Sequence, residues 1–211
     1  MIDKNTRALV LAAHTDDEFG CAGTLVRLIE CGAQVNYVAL SRCEESVPAG
    51  CAKDVLETEC RNCLRGIGLP DANVLVEGFR VRHFPAHRQE ILELLVSLRR
   101  RLEPSLVFLP ASFDTHQDHR TVYEEGFRAF KLSSILGYEL PQNLISFSNS
   151  AFVALDENHL ERKVEALNHY ASQRFRAYAE ESFIRSLAQV RGVQSGTRYA
   201  EAFELIRLLV R

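Results

Sequence analysis

Short uninterrupted apolar runs alternate along this chain with longer stretches whose apolar positions recur every three or four residues. Ala8 to Ala13 is the first such run, bounded by charge on both sides, and it reads as a strand buried on both faces. From Cys21 to Cys31 the period changes: Leu25, Leu28 and Ile29 share one face of a helix, and Gly32 stops it. Val35 to Leu40 predicts a second strand and Ser41 to Gly50 a loop. A helix follows over Ala52 to Arg65, closed by Gly66 and Gly68, and then a short strand over Asn73 to Val76. Residues 87 to 102 repeat at helical spacing through Ile91, Leu92, Leu95, Leu98 and Leu102, and Ser105 to Leu109 is a fourth strand ended by Pro110. Beyond it the pattern predicts a helix over Thr121 to Leu132, a strand over Leu144 to Leu155 and mainly helix over 157 to 190. Ala200 to Leu209 carries both strand and helix signals.

Strand and helix in strict alternation through four strands imply an α/β fold, a parallel sheet with helices on both faces. With 211 residues, no internal repeat and no clear linker, a single domain over 1–211 is the simplest organisation. Apolar residues make up 46% and charged residues 25%, as in ordinary globular proteins. A net charge of −3 argues against nucleic acid or a membrane surface as partner. The basic run Arg99-Arg100-Arg101 lies in a helical pattern and reads as a solvated face. The first apolar run is far shorter than the roughly 20 residues that span a bilayer, so a cytoplasmic location with reduced cysteines is the expectation. All six cysteines fall between Cys21 and Cys63; Cys60-Arg-Asn-Cys63 has the spacing of a metal or redox pair, but no second pair accompanies it, and plain thiols are the simpler reading.

Two clusters carry the chemistry. Immediately after the first strand, "HTDDE" places His14, Asp16, Asp17 and Glu18 in five residues. Immediately after the fourth, "PASFDTHQDHR" supplies Asp114, His116, Asp118 and His119. Doubly wound sheets bind ligands beyond the carboxyl ends of their strands where strand order reverses, and in the common orders that point lies beside strand one. The two loops are therefore expected to face each other. Imidazole and carboxylate in a three-ligand set is how catalytic zinc is held, with a fourth position open. The surplus of candidates matches the need of a hydrolytic site for a base and an acid. Taken singly, each cluster also fits a helix cap or an ordinary polar loop.

"AHTDDE" before a glycine-containing helix start, and "HQDH" about a hundred residues later, resemble the PIG-L/LmbE superfamily of metal-dependent N-deacetylases of N-acetylglucosamine compounds. "KVEALNHYASQ" (163–173) and "RGVQSGTRYAEAF" (191–203) resemble the family's carboxyl-terminal stretches, so the likeness covers nearly the whole chain. Thr15 and Gln117 stand where the family usually has proline, and neither change removes a functional side chain. The resemblance implies a Rossmann-like three-layer sandwich, with a zinc ion (Fe2+ or Mn2+ as alternatives) held by His14, Asp17 and His119. It implies Asp16 as general base, His116 as oxyanion support or acid, cationic in the first role, and Asp118 as the residue orienting His116. Glu18 is typical of the family and receives no role.

Specificity is expected from the other loops at the same sheet edge, where Arg42 and Arg82 are candidates for gripping a phosphate or sugar hydroxyls. The expected substrate is an N-acetylated amino sugar or its conjugate; the oligomeric state, a homo-oligomer included, is left open. The alternatives are hydrolysis of another small amide or ester, or a Rossmann-like sugar- or nucleotide-binding module without catalysis. Against the last, no G-x-G-x-x-G follows strand one.

Overall fold

The computed structural model describes residues 2–210. Its centre is a seven-stranded sheet of β1 (Arg7–Ala12), β2 (Gln34–Ala39), β3 (Val74–Val76), β4 (Leu106–Pro110), β5 (Ser134–Tyr138), β6 (Ala151–Leu155) and β7 (Tyr199–Arg207), in the order β3-β2-β1-β4-β5-β7-β6. The first five positions are parallel, and β7 runs antiparallel between β5 and β6. Six helices flank it: α1 (Ala22–Glu30), α2 (Val55–Gly66), α3 (Arg88–Leu102), α4 (Gln117–Ala129), α5 (Glu157–Leu167) and α6 (Glu181–Ser195).

The uninterrupted apolar run of β1 follows from its central place. Ala8, Val10 and Ala12 face one core, shared with Leu25 and Leu28 of α1, Leu64 of α2, Val164 of α5 and Ile184 of α6. Leu9, Leu11 and Ala13 face the other, shared with Ile91, Leu95 and Leu98 of α3 and Val122 of α4. A strand with a core on each side has no position for a polar residue, hence no alternation. The three-layer α/β sandwich expected from the strand–helix order is the fold observed.

The second half departs from the pattern in three places. β5 lies where the sequence predicts no strand: Ser-Ile-Leu-Gly-Tyr has too little alternation to stand out, and its backbone is held from both sides by β4 and β7. Of Leu144 to Leu155, only Ala151–Leu155 is strand. The helical reading of 157 to 190 is broken. Helix α5 starts at a capping box formed by Asp156 and His159 and ends at Leu167, two single turns (Ala171–Gln173 and Ala177–Ala179) follow, and α6 begins only at Glu181. The mixed signal over Ala200 to Leu209 resolves to strand, because β7 pairs along both edges.

For function, the decisive feature is the pairing of β1 with β4 (Ala8 with Leu106, Val10 with Phe108) while β2 lies on the other side of β1. Strand order reverses there, and the segments leaving β1 and β4 emerge side by side at the carboxyl edge of the sheet.

Candidate metal centre

The loop after β1 turns at once into a single helical turn, Asp17–Gly20. The turn presses closely on the end of β5: a Cβ on Gly20 would lie 2.8 Å from the carbonyl oxygen of Glu139. Oδ2 of Asp17 accepts the backbone N–H groups of Ala13 (2.7 Å) and His14 (3.0 Å) and the hydroxyl of Tyr138 (3.2 Å). With one oxygen saturated, the other, Oδ1, faces His119 Nε2 at 3.4 Å and His14 Nδ1 at 3.9 Å.

The loop after β4 supplies the opposite wall. Asp114 accepts the backbone N–H of His116 on Oδ1 (2.8 Å) and meets Nδ1 of His119 with Oδ2 (2.7 Å). His116 caps α4, its Nδ1 accepting the backbone N–H of Asp118 at 3.2 Å. The Asp118 carboxylate does not meet His116, which the family resemblance implies it orients. Its oxygens accept the backbone N–H groups of Arg82 and Phe84, at 2.5 and 3.2 Å, and meet Nε2 of His14 at 3.1 Å. Asp118 follows the first turn of α4 toward the β3–α3 loop and so reaches a histidine on the other strand's loop.

Each of two histidines thus has its outer nitrogen held by a carboxylate, which fixes that nitrogen as an N–H donor and leaves the inner one to offer its lone pair when a cation takes the place of a proton there. The inner atoms, His14 Nδ1 and His119 Nε2, stand 2.9 Å apart. With Asp17 Oδ1 they make a triangle with edges of 2.9, 3.4 and 3.9 Å. Ligand atoms 2.0–2.1 Å from a tetrahedral zinc ion lie about 3.3 Å apart. Three electron pairs converging at that spacing, each backed by a second hydrogen-bonded group, fit a divalent cation. His116 stands at the rim: a nitrogen from each of His14, His116 and His119 lies within 4.8 Å of the others.

The charges agree. Burial alone would raise the Asp17 carboxyl, but His119 and His14 outweigh it and hold the carboxyl well below the usual range. For His119, burial favours the neutral ring, yet Asp17 and Asp114 push its pKa up to about 10, so a proton is drawn to the place between the carboxylates. His116 moves the other way. Burial, then His14 and His119, lower it to about 4, which corrects the expectation of a cationic imidazole: at neutral pH it is neutral, with Nδ1 accepting and Nε2 carrying the hydrogen.

These groups open into a cavity of about 250 Å³. Asp16 lines it without belonging to the triangle; burial and then Asp17 raise its pKa, and the Tyr178 hydroxyl lies 3.5 Å from Oδ2. Arg82 lines the cavity as expected. Arg42 does not: its guanidinium lies 3.4 Å from Glu57, and the left-handed turn at Cys43 (φ 60°) sends Cys43 inward instead. Gln173, Arg176 and Tyr178, from the turns between α5 and α6, complete the wall. Their segment carries helix-like spacing that hides them in the sequence; of the three, only Gln173 falls within the family-like stretch "KVEALNHYASQ".

Glu18 lies beneath the site, fully buried, accepting the hydroxyls of Tyr37 (2.9 Å) and Tyr170. Burial pushes its pKa up from 4.5 to about 7 against those bonds. A raised folded-state value means the unfolded chain loses this proton first, so folding stability falls as pH rises from 4.5 through 7, by about 3 kcal/mol from this group. Glu18→Gln is expected to remove most of that decline in denaturant titrations at pH 5 and pH 7.5. Cys60 and Cys63 are buried in the core and burial raises both thiols well above their ordinary pKa, the opposite of what a metal-binding or redox pair needs.

Comparison with known proteins adds to this geometry. The family model described as PIG-L, GlcNAc-PI de-N-acetylase, matches residues 9–130. The uncharacterized deacetylase YaiS of Escherichia coli K12 is 27% identical over 177 residues, which cover 81% of this chain and 93% of that protein. The N,N'-diacetylchitobiose deacetylase of Pyrococcus horikoshii has a TM-score of 0.77 at 21% identity, over 93% of this chain and 82% of the other. GalB, the 4-carboxy-2-hydroxymuconate hydratase of Pseudomonas putida KT2440, has a TM-score of 0.78 at 20% identity, over 98% of both chains. A deacetylase and a hydratase share this fold, so the reaction has to be argued from the site.

Proposed function

The chain belongs to the PIG-L family of GlcNAc-PI de-N-acetylases, and from that premise we propose that it removes the N-acetyl group from an N-acetylated amino sugar or its conjugate, with a divalent cation held by His14, Asp17 and His119. Zinc is the first choice of ion; a His/Asp/His set also accepts Fe2+ or Mn2+. The observation that carries the reading is the convergence of three ligand atoms beside a carboxylate, Asp16, and an imidazole, His116, that face the same cavity without being tied up by them.

When bound, the ion supplies Lewis acidity and lowers the pKa of water from 15.7 to about 7. Asp16, the carboxylate that lines the cavity outside the triangle, takes the proton of the attacking water. His116 donates from Nε2 to the oxygen that gains negative charge as the amide carbon becomes tetrahedral, and it does so as a neutral ring. Asp118 and Asp114 hold the rings of His14 and His119 in register. Protonated Asp16 then returns its proton to the departing amine. Arg82 is assigned to substrate contact.

Acetate release is the discriminating measurement. Purified protein is expected to liberate acetate from a panel of N-acetylated amino sugars, to lose at least 100-fold in rate after chelation, and to regain it with added zinc. No acetate from any sugar in the metal-loaded protein, with hydrolysis of simple esters instead, would move the activity to the broader hydrolase class.

A further inference from the structure

Resting on the deacetylase reading, we propose that Arg82 and Arg176 form a two-sided clamp for an anionic group, a phosphate or a carboxylate, carried by the amino-sugar substrate. Both side chains line the cavity that holds His14, Asp16 and His116, and they reach it from different elements: Arg82 from the loop before α3, Arg176 from the turns between α5 and α6. Some arginines elsewhere donate to backbone carbonyls, as Arg27, Arg99 and Arg207 do, but others are neutralised by carboxylates, as in Arg42 with Glu57, Arg88 with Glu125 and Arg191 with Glu139. The cavity pair is held by neutral oxygens instead. Arg82 Nη2 donates to the backbone carbonyl of Glu45 (3.1 Å), whose carboxylate is taken by Arg80 at 2.8 Å. Arg176 Nε donates to the side-chain carbonyl of Gln173 (2.6 Å). Asp16, the carboxylate on the same cavity wall, accepts the hydroxyl of Tyr178 and forms no ion pair with either guanidinium, though the charge of Arg176 acts on it across the cavity.

Both guanidiniums are also placed in advance. The Arg176 guanidinium lies over the rings of Phe175 and Tyr178, 5.1 and 5.7 Å from their centroids. Arg82 holds a left-handed backbone (φ 71°), a conformation that disfavours every side chain but is kept here by the N–H bond to Asp118. Strain retained at a cavity-lining residue is the pattern of a side chain whose position matters. A neutral sugar offers no countercharge to either fork, whereas phosphate and carboxylate oxygens match guanidinium geometry bidentately.

The experiment measures kcat/KM of the zinc-loaded protein on N-acetylglucosamine, its 1- and 6-phosphates, and N-acetylmuramate as the carboxylate arm. In parallel, calorimetry follows binding of the products glucosamine and glucosamine 6-phosphate, which reports whether or not turnover occurs. At least one anionic sugar should be preferred over the neutral one, and Arg82→Gly and Arg176→Gln should each reduce that preference about 10- to 100-fold, mainly through KM. Glycine at 82 accepts the positive φ and keeps the N–H for Asp118, so this variant removes the side chain alone. Arg42→Gln, outside the cavity, should leave the preference intact. Acetate from neutral and anionic sugars alike, with equal product binding, overturns the clamp and leaves the deacetylase standing. Tight, arginine-dependent binding of the phosphate without acetate from any sugar sustains the clamp and removes the deacetylase. A preference that survives both arginine variants, or no binding of any anionic probe, overturns the clamp.

Discussion

Asp16→Asn is expected to lower kcat for acetate release about 10³-fold while the purified protein keeps its full complement of metal. The size follows from the loss of general base and general acid together, since one carboxyl serves both proton transfers; each such group contributes 10²–10⁴-fold. Metal retention follows from geometry. The triangle is made by His14, Asp17 and His119, and Asp16 makes its contact with Tyr178 on the cavity side. Asparagine has the same shape and leaves no buried charge unpaired, so folding should be unaffected. The pH profile adds a sign. Asp16 acts only when ionised at the start of the cycle, and burial with Asp17 beside it raises its pKa. Activity should therefore rise with pH through the acidic limb of kcat/KM, and the charge of a cation held on the neighbouring His14 and Asp17 opposes the upward shift in the loaded enzyme. Metal content by mass spectrometry beside kcat separates the outcomes: an Asn variant within tenfold of the wild type removes Asp16 from the chemistry, and one that arrives without metal makes it a ligand.

Which parts of this site were legible in the sequence depends on whether the information is local. The β1 and β4 clusters stood out because each lies directly behind an apolar run, and the alternation of strands and helices was enough to place those runs side by side. What the helical spacing of His116 and His119 could not show is the direction of Asp118 between them. Its partners, His14 and the N–H groups of Arg82 and Phe84, are 104, 36 and 34 residues away. The far wall was hidden for another reason. Tyr170, Phe175 and Tyr178 continue the apolar spacing of α5, so 168 to 180 read as helix, while in the structure the chain breaks into turns that carry Gln173 and Arg176 over the cavity. β5 is silent because five residues with a glycine in fourth place have no pattern of their own, and their conformation is imposed by the neighbouring strands. Glu201, by contrast, is polar in a strand for a reason found only in three dimensions: it takes the N–H groups of Gly23 and Thr24 at the start of α1 and pairs with Lys163 at 2.6 Å.

His119→Ala is expected to abolish both metal retention and acetate release, and to destabilise the metal-free chain as well. The ring stands between Asp114 (2.7 Å) and Asp17 (3.4 Å), both buried. Removing it leaves two carboxylates facing a void, and breaking a buried pair in this way typically costs about 3–5 kcal/mol. In the metal-free protein His119 is raised from 6.5 to about 10. Its contribution to stability is therefore complete below pH 6.5 and is lost as pH rises through 10; the cation takes the place of that proton, so binding should release protons and strengthen with pH. A loss of stability alone would also silence the enzyme, so the prediction needs a second variant. Asp114→Asn keeps the ring and changes only what stands behind Nδ1; metal affinity should fall about 10- to 100-fold with the fold intact. Melting curves with and without zinc read both: the wild-type Tm should rise with zinc, that of Asp114→Asn should rise only at higher zinc, and that of His119→Ala should not respond. A zinc-dependent rise in His119→Ala equal to that of the wild type would place the ion elsewhere and remove the triangle from the account.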